Sequence, residues 1–207
     1  MLQVLGKRQS INVRKVLWTC DEIGVPYEHE EWGAGTRPTS APEFLSLNPK
    51  ALVPVLIDGP SIITESNTIA RYLAGKHDRT DLLPVEPLAR AQVEEMMDWQ
   101  ATELNGSWRV AFQAIVRKNQ IAGTAEQVAA SLVEWARMMR LLERRLADGR
   151  LHVCGKPFTL ADIVIGLSVN RWFQTPIERP ELPSVRAYFD RLSQRPAAHT
   201  HLGDGTD

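Results

Sequence analysis

The segment that most restricts what this chain can fold into is LVPVLIDGPSIITESNTIARYLA, from Leu52 to Ala74. Val53 to Ile57 is rich in β-branched residues, which suit a pleated, half-buried surface. Asp58-Gly59 is the strongest short hairpin signal, and Ser61 to Thr64 supplies the returning strand. Pro54 stands out in this apolar run because it has no N–H for a strand ladder, a lack tolerated on an edge. A cis Val53-Pro54 bond would expose the Val53 backbone to a ligand. Thr64-Glu65-Ser66-Asn67 then opens a helix whose free N–H groups and positive dipole end favour an anion. An edge that reads a peptide backbone, beside a helix start that binds an anion, suits a small peptide with a carboxylate at one end.

Upstream, Leu2 to Leu5 alternates as a strand and Gly6 to Gln9 turns the chain. From Ser10 the period changes: Val13, Val16, Leu17, Cys20 and Ile23 follow helical spacing until Gly24 and Pro26 stop it. Tyr27 to Glu31 gives a second strand, Trp32 to Thr39 a Gly- and Pro-containing loop, and Ala41 to Leu47 a short helix closed by Asn48-Pro49. The order β-α-β-α-β-β-α is a thioredoxin-like arrangement. Lys76 to Pro87 is polar and reads as a linker.

Beyond it the pattern is helical throughout. Leu88 to Leu104 is one helix with Gly106 after it, and Thr124 to Ala147 is a long amphipathic one ended by Gly149. Leu160 to Trp172 is apolar enough to be the buried central helix, opened by a capping box at Thr159 and Asp162. Pro183 to Gln194 is the last helix, and a polar tail, His199 to Asp207, is expected to fray. The expected organisation is a thioredoxin-like α/β domain over residues 1–75, a linker over 76–87 and an all-α domain over 88–207.

The 207 residues carry a formal net charge of −1, which argues against a nucleic-acid or anionic-membrane partner. Cys20 and Cys154 are the only cysteines and form no C-x-x-C, so neither a disulfide framework nor a metal site is expected. No apolar run approaches the roughly 18 residues of a membrane helix. The start MLQVLGKRQS lacks the apolar core of a signal peptide, so a reducing cytoplasm is the expected compartment.

Several stretches together resemble the cytosolic glutathione S-transferases. They are SINVRKVLW from Ser10, LNPKALVPVL from Leu47, TESNTIARYL from Thr64, MDW from Met97 and FTLADI from Phe158. Each is weak alone; their order and spacing are specific. The flavour is that of bacterial members whose first helix begins S/T-x-N, near the beta- and nu-like classes. The resemblance implies a thioredoxin-like domain plus a helical domain, glutathione as co-substrate without a metal, and a small electrophile held by the helical half. It also implies a homodimer. Two other activities fit the same resemblance: glutathione-dependent reduction of a disulfide or peroxide, and a non-catalytic ligand-binding scaffold.

A free thiol ionises near about 8.5, so an enzyme of this kind must favour the thiolate by hydrogen bonds or a helix N-terminus. Ser10, at the strand-to-helix turn, and Asn12, in the first helical turn, are the candidates. Taken alone, Ser10 reads equally as an N-cap and Asn12 as its solvent-facing neighbour. The resemblance gives both a role at the sulfur and does not choose between them. The absence of a Tyr or Cys after the first strand excludes tyrosine- and cysteine-type activation. By the same resemblance Val53, with Pro54 cis, pairs with the cysteinyl part of glutathione, and Glu65 and Ser66 hold the γ-glutamyl end. Many relatives carry a basic residue two positions before the proline for the glycyl carboxylate. Here that position is Leu52, leaving Lys50 or Arg37 as substitutes. Cys20 belongs to a core stripe and the run Arg137, Arg140, Arg144, Arg145 to a solvated helix flank. Trp99, Trp108 and Trp172 are either core or pocket lining.

Overall fold

The structure, a computed structural model, describes residues 1–203 and divides into two compact units, Met1–Pro84 and a second that begins at Val85. The first unit holds strands β1 (Leu2–Leu5), β2 (Tyr27–Glu30), β3 (Val55–Asp58) and β4 (Ser61–Thr64) in the sheet order β2-β1-β3-β4. β1 runs parallel to β2 and antiparallel to β3, and β3 is antiparallel to β4 with Val55 opposite Thr64. Helices α1 (Ile11–Ile23), α2 (Pro42–Leu47) and α3 (Ser66–Lys76) complete the thioredoxin-like order. Strand alternation sorts the core onto two faces. Leu2, Val4 and Leu56 meet Val13, Val16, Leu17 and Cys20 of α1 and Ile69 and Leu73 of α3, while Leu5 and Val55 meet Trp32 and Phe44 of α2. Gly24 ends α1 in the left-handed region, where the absence of a Cβ removes the steric penalty.

Strand β3 begins at Val55, two residues later than its composition predicts. Pro54 has no N–H to continue the ladder toward Val53, and the Val53-Pro54 bond is cis.

The second unit contains α4 (Pro87–Trp99), α5 (Asn105–Ile115), α6 (Ala125–Leu146), α7 (Leu160–Gln174) and α8 (Pro183–Leu192). The expected stop at Gly106 does not occur. The chain passes through a π turn at Gln100–Leu104 straight into α5, with Gly106 inside the helix. Buried Gln100 anchors that turn, its Nε2 donating to Asn105 Oδ1 at 2.9 Å and Ser168 Oγ at 2.8 Å. Helix α7 is the buried centre, with every residue from Leu160 to Trp172 shielded from water. Its start is fixed by Asp162, whose carboxylate accepts from the amides of Thr159 and Val153 at 2.8 and 2.9 Å and from Tyr188 Oη at 3.0 Å. Trp108, Trp135 and Trp172 form a chain of ring contacts at 6.2 and 5.0 Å.

The frayed tail is corrected in part. His201 is buried, and Asn170 exchanges two hydrogen bonds with the Gly203 backbone at 3.1 and 3.2 Å. Residues 204–207 of that expectation lie outside the described residues.

Candidate active site

Three backbone features of the first unit converge: the turn after β1, the Val53-Pro54 corner and the start of α3. Gly6 allows the first two to meet. Its φ is +146°, and a Cβ there would lie 2.5 Å from a Val13 methyl and 2.9 Å from Val53 Cβ, so a side chain is excluded on both counts. The turn is held from β2 as well, by Glu30 O accepting from Gly6 N at 2.9 Å and His29 Nε2 on Gly6 O at 2.7 Å. The loop before Val53 is tied by buried Asn48, which donates to Leu52 O at 2.7 Å and accepts from Lys50 N at 3.2 Å.

Ser10 is the N-cap of α1 by backbone conformation, yet its hydroxyl makes no capping bond. Its role as a mere cap therefore loses its physical basis, since the value of a capping Ser lies in that bond. The Ser10 hydroxyl therefore leaves the first amides of α1 uncapped. Asn12 lies one residue into the helix, half-buried, with Oδ1 accepting from Ser66 Oγ at 3.4 Å. One turn further, Lys15 Nζ donates to Asn67 Oδ1 at 3.2 Å. The two bonds form successive rungs that fix the start of α1 against the start of α3. Lys15 and Asn67 escaped the sequence reading, although Lys15 stands at i+3 from Asn12 and so shares its helix face.

Ser66, almost fully buried, is the first residue of α3. Glu65 precedes it with φ +68° and ψ 111°, a conformation costly for a residue with a Cβ and a sign that the surroundings over-determine it. The Glu65 carboxylate projects outward and accepts from Lys50 Nζ at 2.8 Å. Both side chains are more than half exposed, so the pair adds little stability. Lys50 is thus at the Glu65 end of the site. Arg37 is held elsewhere, 3.8 Å above the Trp32 ring and paired with Glu30 at 3.0 Å and Glu43 at 3.8 Å. Ser10, Asn12, Val53, Pro54, Glu65, Ser66 and Lys50 are accordingly carried by one unit, around one turn and two helix starts.

The protein's own thiols do not resemble nucleophiles. Burial, with Asp21 beside it, pushes the Cys20 thiol up to about 12, and burial pushes Cys154 up to about 11. Among the described residues no group of three His, Cys, Asp or Glu side chains could hold a metal ion, and no helix is long and apolar enough to cross a membrane. In the second unit Trp108 and Trp172 are core, whereas half-buried Trp99 lines a cavity of about 500 Å³ with Met96, Leu141 and Leu142. On α6, Arg137 is an exposed partner of Glu134, and Glu143 instead caps α8 through the amides of Ser184 and Val185 at 3.0 and 2.9 Å.

Comparison with known proteins agrees with this geometry. Residues 1–75 match the model of the glutathione S-transferase N-terminal domain, and residues 125–191 that of the C-terminal domain. Glutathione S-transferase GstB of Escherichia coli is 32% identical over 95% of both chains. A theta-class glutathione S-transferase of Xanthomonas axonopodis pv. citri, solved with glutathione bound, superposes with a TM-score of 0.91 at 35% identity, covering 98% of this chain and 97% of its own. That relative is a theta-class protein, whereas the sequence motifs pointed nearer to the beta- and nu-like groups. A probable elongation factor 1-gamma 2 of Arabidopsis thaliana is 31% identical over 92% of this chain but only 46% of its own length. The chain belongs to the glutathione S-transferase family.

Proposed function

We propose that this protein binds glutathione in the first unit, stabilises its thiolate and conjugates it to a small electrophile. The observation that carries the reading is the Ser66–Asn12 contact beside cis Val53-Pro54, because it brings two helix N-termini and a free peptide edge together. In this reading the Val53 backbone pairs with the cysteinyl residue, while Ser66 and the α3 amides take the γ-glutamyl carboxylate. Glu65 keeps Lys50 on Oε1 and meets the amino group with Oε2. The Ser10 hydroxyl, free of a capping bond, donates to the sulfur, and Asn12 offers its amide N–H₂ beside it.

The energetic demand is modest. Lowering a thiol from about 8.5 by one to two units takes about 1.4–2.7 kcal/mol, the range of one or two hydrogen bonds to a charged group. The protein is further proposed to act in the cytoplasm as a homodimer, which sedimentation of the purified chain would test.

The deciding experiment is calorimetric titration with glutathione, with thiol ionisation in the complex followed by ultraviolet absorbance, for wild type, Ser10→Ala and Asn12→Ala. Ionisation near neutral pH that is lost in Ser10→Ala supports the assignment; loss only in Asn12→Ala transfers the role to Asn12. A second reading is a non-catalytic binding scaffold of the same fold; a relative that carries another name, the probable elongation factor 1-gamma 2, is 31% identical. No glutathione binding by wild type would leave that reading standing. Turnover of a disulfide but not of an aryl halide would reassign the reaction to glutathione-dependent reduction.

A further inference from the structure

We infer that Leu52 makes this site tolerant at the far end of its thiol substrate, so that γ-glutamylcysteinyl peptides with a neutral C-terminal end are bound as well as glutathione itself. The inference rests on the glutathione reading above and extends it to the class of peptide accepted.

Glutathione carries a carboxylate at each end. Strand pairing orients it in the site. Thr64 lies opposite Val55, so Glu65 and Ser66 begin on the Pro54 side of Val53. A peptide paired with Val53 and anchored at Ser66 therefore runs its other end toward Leu52.

What waits there is apolar. The Leu52 side chain is 60% exposed, a large hydrophobic surface on a loop whose polar atoms are turned inward. Its carbonyl is taken by Asn48 Nδ2 at 2.7 Å, and the Lys50 amide is given to Asn48 Oδ1 at 3.2 Å. Lys50 and Arg37, the two cations that the sequence offers for this carboxylate, are engaged. Lys50 Nζ is 2.8 Å from Glu65, and Arg37 lies over Trp32 with Glu30 and Glu43 as its partners. Ala51 has φ +55°, a left-handed conformation that sets the direction in which the loop presents Leu52. A carboxylate pressed against Leu52 gives up hydration without gaining a counter-charge, whereas an ester or amide gives up much less. The chemistry that matches this corner is a neutral or extended C-terminus.

The test is titration of the full-length protein with glutathione and with its glycyl monoethyl ester, on wild type, Leu52→Lys and Leu52→Gln. Wild type is expected to bind the two ligands with Kd values within about threefold of each other, since a charge-assisted contact to the glycyl carboxylate would separate them by about tenfold or more. Leu52→Lys is expected to tighten glutathione about fivefold or more and leave the ester unchanged, because it supplies the missing cation. The neutral Leu52→Gln should keep the wild-type ratio, which separates charge from a disturbed loop. A wild-type preference of tenfold or more for the free acid overturns the inference and leaves the glutathione reading intact. So does a Leu52→Lys that favours neither ligand. Failure of wild type to bind either ligand overturns the glutathione reading and this inference with it.

Discussion

The helix starts of the two units are finished differently. In the second unit the protein supplies its own caps. Glu86 accepts from the amides of Leu88 and Ala89 at the start of α4, and Thr124 with Gln127 closes the start of α6 reciprocally. Asp162 closes α7, and Glu143 reaches over from α6 to close α8. In the first unit, α1 and α3 begin at Ser10 and Glu65, and neither side chain makes a capping bond. Every helix leaves its first amides without intrahelical partners, so a start without a cap is a cost unless something else arrives. The second unit spends its polar side chains on stability. The first leaves donors open where a ligand can use them.

This contrast makes separable predictions, and the largest concerns Asp162. Replacing it with Ala removes the acceptor for two amides and the Tyr188 hydroxyl in a buried site, with an expected loss of about 3–4 kcal/mol. Urea unfolding would measure it, and a change below 1 kcal/mol, on the order of an exposed cap, would break the contrast. Ser10→Ala is the mirror case. It should lower kcat/KM by about 10- to 100-fold, the kinetic equivalent of one to two pKa units, while moving unfolding stability by less than about 0.5 kcal/mol. A stability loss equal to the kinetic loss would make Ser10 a structural cap after all.

Thr124→Ala should do the opposite on a smaller scale, with a cost of about 1 kcal/mol in unfolding and glutathione affinity unchanged. The last expected effect is nil near neutral pH and is seen only in alkali. Cys20 is raised from 9.0 to about 12 in the fold by burial first and Asp21 second. An unfolded chain thus releases that proton earlier, and the associated stability is whole below about pH 9 and is lost as pH rises toward 12. Cys20→Val should flatten that part of the stability–pH curve. In the native protein near neutral pH, Cys20 should resist alkylation for as long as the first unit stays folded.

Much of the first unit was legible in the chain because its signals are local. The alternation at Leu2–Leu5, the helical stripe from Val13 to Cys20 and the Asp58-Gly59 turn each specify an element within a few residues. The Thr159–Asp162 box was legible for the same reason. Its further partners, Val153 and Tyr188, were not, because they lie 9 and 26 residues away. The same limit hid Glu143 as the cap of α8, 41 residues from Ser184, and Lys50 as the partner of Glu65, 15 residues apart. Gly106 misled for another reason: glycine lowers helix propensity, and local preference lost to the packing of α5 on α6. Leu52 was visible as a departure from the resemblance. Its physical meaning depended on where the ammonium and guanidinium of its neighbours end up.

The π turn at Gln100–Leu104 changes what a length mutation does to the second unit. Such a turn holds one residue more than an α turn, and each α-helical residue rotates the chain by about 100°. Deleting one residue here would close the wide turn into an α turn and leave α5 near its present face. Trp108 would keep the Arg171 guanidinium, 4.4 Å from its ring, and its tilted contact with Trp135. The same deletion inside α5 has no spare residue to draw on and would roll the rest of that helix by about 100°. The wide turn is a place where the chain can lose a residue without turning a helix face.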